Sequence, residues 1–113
     1  MSQFEDKVHD VMDAAKGLNI TVNPNLLTKV AKGLGPSIYN ADASLVSSSD
    51  PDEINRVKTN FLKGKLGCTN EKEMDDAIAH AVTTLGVSNR NKFRILFYYL
   101  CVEKSGKGYV YND

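Results

Sequence analysis

The chain has 113 residues, 42% of them hydrophobic and 25% charged. That is the size and balance of one globular domain with its own core, and it argues against a disordered chain. Lysines and arginines number 14 and acids 14, so no global field draws the chain toward nucleic acid or anionic lipid. The N-terminus carries acids and no apolar run, and no stretch approaches the roughly 18 apolar residues of a membrane span. The expected setting is the reducing cytoplasm, with Cys68 and Cys101 as thiols.

Five helical segments are expected. The first opens on Ser2 and Glu5 at capping-box spacing, carries Phe4, Val8, Val11, Met12 and Ala15 on one face, and ends at Gly17. Residues 18–22 are apolar and β-branched but too few for an independent sheet, and they read as a connector packed on the core. Asn23-Pro24 caps and opens a second helix with Leu26, Leu27, Val30, Ala31 and Leu34 inward, closed by Gly35-Pro36. Residues 37–49 mix Ile38, Leu45 and Val46, which need burial, with serines that favour turns. A short helical turn is expected there.

The third helix spans residues 51–66. Asp50 is its cap, Pro51 has the φ of a first helical residue, and Glu53 is placed to reach back as a capping-box partner. Ile54, Val57, Phe61, Leu62 and Leu66 form its apolar face and Gly67 stops it. Asn70 and Glu73 cap a fourth helix with Met74, Ala77, Ile78, Ala81, Val82 and Leu85 inward and Gly86 as its end. The fifth starts at Ser88 or Asn89. Phe93, Leu96, Phe97, Leu100 and Cys101 fit a helix, whereas a strand would put Leu96, Tyr98, Leu100 and Val102 on its polar face. Ile95, Tyr98, Tyr99 and Val102 make this helix apolar nearly all round, so it is either central or shared with a second chain. Residues 106–113 are loop-like, with Tyr109, Val110 and Tyr111 expected to fold back. The fold class is therefore all-α, a compact bundle of about five helices in one domain over residues 1–113.

Several blocks carry a family resemblance: residues 42–47 (DASLVS), Ser49-Asp50, Asn60-Phe61-Leu62-Lys63, Lys65-Leu66-Gly67 and Phe97-Tyr98-Tyr99-Leu100. In these the chain resembles the bacterial domain of unknown function 2853 over roughly residues 26–106. The resemblance implies a small all-helical domain with helix pairs arranged as in EF-hand proteins, and it implies no activity, ligand or catalytic residue. The chain departs from the family pattern at Gly64, where a lysine is expected, and at Ser48, where a small residue or cysteine is common.

The candidate chemistry is sparse. A calcium loop needs glycine at its sixth position and glutamate at its twelfth. Counted from Asp50 these are Asn55 and Leu62; counted from Asp42 they are Ser47 and Glu53. Calcium binding is not expected, nor any cofactor. His9 and His80 read as surface histidines, with Asp76 one turn before His80 as its partner. Ser44, Ser47 and Ser49 lack a neighbouring base or a strand-turn-helix elbow. Their first appearance, with Ser48 and the acids, is of a phosphate or metal site, but caps and turns account for most of them. Cys101 is expected to be buried and inert and Cys68 exposed. Residues 104–108 (KSGKG) lack the order of a phosphate loop. The chain is expected not to be an enzyme.

Charge alternates along the chain. Residues 1–53 carry a net of −4, 54–67 of +4, 68–80 of −3 and 81–113 of +3, which favours complementarity between neighbouring helices. Arg90, Lys92 and Arg94 fall in the first turn of the expected fifth helix, where the macrodipole disfavours cations. Either acids such as Asp75 and Asp76 or an external phosphate should compensate them. Two functions follow from different classes. One is a non-enzymatic interaction module for an unidentified protein, with a homodimer through Tyr98 and Tyr99. The other is a weak binder of nucleic acid or another polyanion through Arg56, Lys63, Arg90, Lys92 and Arg94.

Overall fold

The computed structural model describes residues 3–39, 45–89 and 92–111. They form five α-helices and no strand: α1 (Gln3–Gly17), α2 (Pro24–Leu34), α3 (Pro51–Arg56), α4 (Glu71–Leu85) and α5 (Arg94–Ser105). Short 3₁₀ turns follow α2 (Gly35–Tyr39) and α5 (Gly108–Tyr111), and α3 runs directly into a π-helical segment, Val57–Lys63. The expected Ser2 cap and the calcium-loop start at Asp42 lie outside the described residues.

Three helix starts follow local capping chemistry. The Asn23 side chain accepts the backbone N–H groups of Asn25 (3.0 Å) and Leu26 (3.3 Å). Asp50 accepts that of Asp52 at 3.0 Å and Asn70 that of Glu73 at 3.2 Å. α1 and α2 bury the apolar faces their spacing defines: Val8, Val11 and Ala15 on one, Leu27, Val30 and Ala31 on the other. Residues 18–22 do pack down, with Ile20 and Val22 against the core, and Asn19 takes the left-handed conformation (φ 60°) that turns the chain after α1.

The stretch after Arg56 is not α-helical. Gly64 and Leu66 donate their backbone N–H groups five residues back, to Thr59 (3.1 Å) and Phe61 (2.9 Å). Burial explains the widening. At 3.6 residues per turn, Leu66 would lie on the opposite side of the helix from Val57. At the roughly 4.4 residues of a π turn, Val57, Phe61, Leu62 and Leu66 all point the same way, and all four are buried. A β-carbon at position 64 would stand 2.6 Å from the Asn60 carbonyl oxygen, so the lysine of the family pattern does not fit this backbone.

α5 is the centre of the bundle. All eight residues from Ile95 to Val102 are buried, and the helix packs on α4, α2 and α1, with the Tyr98 ring tilted over Phe61 at 4.2 Å between centroids. Its start differs from the sequence expectation. Residues 88 and 89 precede the helix, because the Val46 N–H bonds the Lys92 carbonyl (2.8 Å) and Leu45 bridges Phe93 antiparallel, holding Lys92 and Phe93 out of the helix. Lys92 is therefore not in a first helical turn; Arg94 is. Beyond α5, Gly106 adopts the left-handed cap conformation and the chain folds back, burying Tyr111 against α2.

Candidate functional site

Two loops meet where the short bridge pins residue 45 to residue 93. On one side, residues 45–49 turn tightly, with the Asp50 N–H bonded to the Ser47 carbonyl at 3.2 Å. On the other, the chain leaving α4 turns at Gly86, where the Asn89 N–H reaches the Gly86 carbonyl (3.0 Å) and the Asn89 side-chain amide donates to the Leu85 carbonyl (2.9 Å). Between them lies a cleft of about 600 Å³, walled by residues 45–49, by residues 87–89 and by Lys92. Grooves beside α2 and beside the π segment are smaller, about 370 and 320 Å³.

Lys92 gives the cleft its character. Only 2% of its surface is exposed, and its ammonium donates to the carbonyls of Val87 (3.2 Å) and Asn89. No carboxylate among the described residues pairs with it. Burying an ammonium is costly without compensation, and among the described residues neutral carbonyl dipoles supply it. Among the described residues, the rest of the lining is hydroxyl, amide and aliphatic, without an acid, histidine or cysteine. At the rim, the Val87 side chain is left 76% exposed. Ser47 and Ser49 shape the turn, as expected, and also face this cleft; Ser44 is outside the described residues.

Among the described residues, the other candidate cations lie apart. Arg94 pairs with Glu53, and Arg56 reaches the same carboxylate at 3.2 Å. Glu53 is spent on these arginines across the bundle; it is not the capping-box partner the spacing suggests. Lys63 is exposed in the groove beside the π segment, Lys92 is buried, and Arg90 lies outside the described residues. Asp75 does not neutralise the basic residues before α5. It bonds Lys58 at 3.0 Å, alongside Glu71 at 2.7 Å, and these two carboxylates, Glu71 first, hold the Lys58 ammonium more basic than usual. The alternating charge of the sequence thus resolves into pairs between segments. For Arg94, burial opposes the charge, but the Tyr98 hydroxyl and Glu53 outweigh it and keep the guanidinium above its ordinary range.

Tyr98 and Tyr99 offer no surface to a second chain, which corrects the expected homodimer face. Tyr98 is buried on Phe61 and receives a hydrogen bond from Arg94 (3.0 Å). Tyr99 is fully buried; its hydroxyl accepts the Asn23 N–H at 2.7 Å and donates to Glu103 at 2.9 Å. Burial raises both phenols. Cys68 is also corrected. It is buried, not exposed, and burial first, then Glu73, raises its thiol against the opposing Lys107. Cys101 donates weakly to the Ala77 carbonyl (3.7 Å), and burial pushes it up to about 12. His9 pairs with Asp13 at 3.3 Å on the surface of α1. Among the described residues no group of three or more acids, histidines and cysteines is placed to hold a metal, and no helix is long and apolar enough to cross a membrane.

The cleft, the central helix and at least part of every α-helix fall inside one family match. The family described as Protein of unknown function (DUF2853) matches residues 9–108. The chain belongs to this family. None of the curated proteins matches it. The DUF2853 match ends at Gly108, the first residue of the turn that folds back onto α2.

Proposed function

We propose that this DUF2853 chain is a non-enzymatic interaction module of the cytoplasm that takes a partner protein at the cleft between residues 45–49 and residues 87–89 with Lys92. The observation that carries the reading is Val87, an aliphatic side chain bare at the lip of a hydroxyl-lined cleft. An exposed apolar contact beside polar groups is the usual make-up of a recognition surface. Among the described residues the cleft lining holds no carboxylate, histidine or cysteine, and the Lys92 ammonium is occupied as a donor to two carbonyls. Two free, buried thiols suit a reducing compartment. A broad polyanion surface gains nothing from cations that are already committed to Glu53.

A photo-crosslinking residue at Val87 tests this, with the same residue at Tyr109, which is exposed elsewhere, as the control. The expected result in native extract is one discrete protein adduct from position 87, absent from 109 and reproduced with the purified partner. Equal labelling from both positions, or none from 87, would sink the reading.

A further inference from the structure

We infer that the Lys92 cleft binds a phosphate monoester. This rests on the cleft being the recognition site and names the chemistry recognised there. Three independent features converge on an oxyanion. The cleft contains a buried ammonium that no described carboxylate neutralises, so a positive potential is left over in a poorly solvated wall. Facing it are the hydroxyl-bearing residues Ser47, Ser48, Ser49 and Ser88, which supply donors of the kind that hold phosphate oxygens. Among the described lining residues there is no acid to repel an anion or to favour a metal cation instead.

Volume narrows the class further. A space of about 600 Å³ is within the range of small-ligand sites and has room for an organic group beside the phosphate. The Lys92 ammonium is already fixed by the Val87 and Asn89 carbonyls, and it acts as a preorganised charge. The serine hydroxyls make the direct contacts. With its ammonium held as a donor and no carboxylate or histidine among the described lining residues, such a site binds and orients the monoester.

The test is amide NMR of the full chain titrated with inorganic phosphate, glycerol 3-phosphate and a short phosphoserine peptide. The expected result is saturable shifts confined to residues 46–49, 87–89 and 92, stronger for the two monoesters than for inorganic phosphate. A peptide bound at least tenfold tighter than glycerol 3-phosphate assigns the monoester to a phosphorylated partner, and equal binding assigns it to a small molecule. Lys92→Met, with its fold checked in the same spectra, should weaken binding at least tenfold. Should that variant unfold, Ser47→Ala with Ser49→Ala should weaken binding several-fold in a folded chain. Shifts that fail to saturate, shifts centred on Arg56 and Lys63, or binding indifferent to these substitutions would overturn the inference. If the position-87 adduct forms while no phosphate binds, the interaction reading stands and the monoester falls.

Discussion

Glu53 on α3 and Arg94 on α5 stand 41 residues apart in the chain and meet carboxylate to guanidinium, with 12% and 15% of their side-chain surfaces exposed. Arg94 also donates to the Tyr98 hydroxyl at 3.0 Å and the Leu45 carbonyl at 3.5 Å, so one guanidinium ties α3, the bridge and the central helix together. Removing either member breaks a mostly buried ion pair, at a cost of about 3 kcal/mol. Arg94→Met and Glu53→Met should each lower the urea midpoint accordingly. The double variant should recover much of the loss, and strictly additive losses would refute the coupling.

Tyr99→Phe keeps the ring and removes a hydroxyl that serves as acceptor for Asn23 and donor to Glu103. The Asn23 N–H loses its partner at the start of α2, and a loss of about 1–2 kcal/mol is expected. Hydrogen exchange at the Asn23 amide should accelerate more than at amides in α4. Uniform acceleration would show that the hydroxyl does not anchor α2.

At Gly64 a β-carbon would press on the Asn60 carbonyl at 2.6 Å. Gly64→Ala should therefore destabilise the chain, although alanine is ordinarily the better helix former by about 1 kcal/mol. A gain in thermal midpoint would mean that the π turn relaxes to α-helix without cost.

Alkaline pH should unfold the chain by linkage. Burial pushes Cys101 and Tyr111 up to about 12, from ordinary values of 9.0 and 10.0. Between the two limits the unfolded chain has shed these protons while the folded chain retains them, so stability is full below about pH 9 and falls as pH rises toward 12. Urea midpoints measured from pH 8 to 11 should decline, and Tyr111→Phe should shallow the slope above pH 10. A flat profile would contradict the burial of both groups.

Both thiols should resist a thiol reagent in the folded state and react together on unfolding, since each is no more than 1% exposed. Rapid labelling of Cys68 alone would restore the exposed junction that its place beside Gly67 suggests.

What the sequence discloses here is what short range controls. Asn23-Pro24, Asp50-Pro51 and Asn70 announce helix starts because a cap bonds two or three residues away, and the structure begins helices at those points. The start of α5 is set instead by Val46, far away in the chain, and no local rule reaches it. The π segment was legible in principle. Val57, Phe61, Leu62 and Leu66 repeat at four to five residues, a period wider than the α-helical one assigned to them. Lys92 looked like one of three alternating surface cations, and its burial comes from loops that only tertiary structure joins. The serines before α3 explain themselves as turn formers, which hides their second role in the cleft wall.

The position of α5 in the chain order has a consequence for biosynthesis. The helix whose every side covers another is the last of the five to leave the ribosome. Until residues 95–102 emerge, the apolar stripes of α1, α2 and α4 lack the surface they bury against. At the usual pace of translation, roughly 5–20 residues per second, the earlier helices wait seconds with those stripes uncovered. Folding is then one late event, and a nascent chain arrested before Phe93 is a substrate for chaperones and proteases.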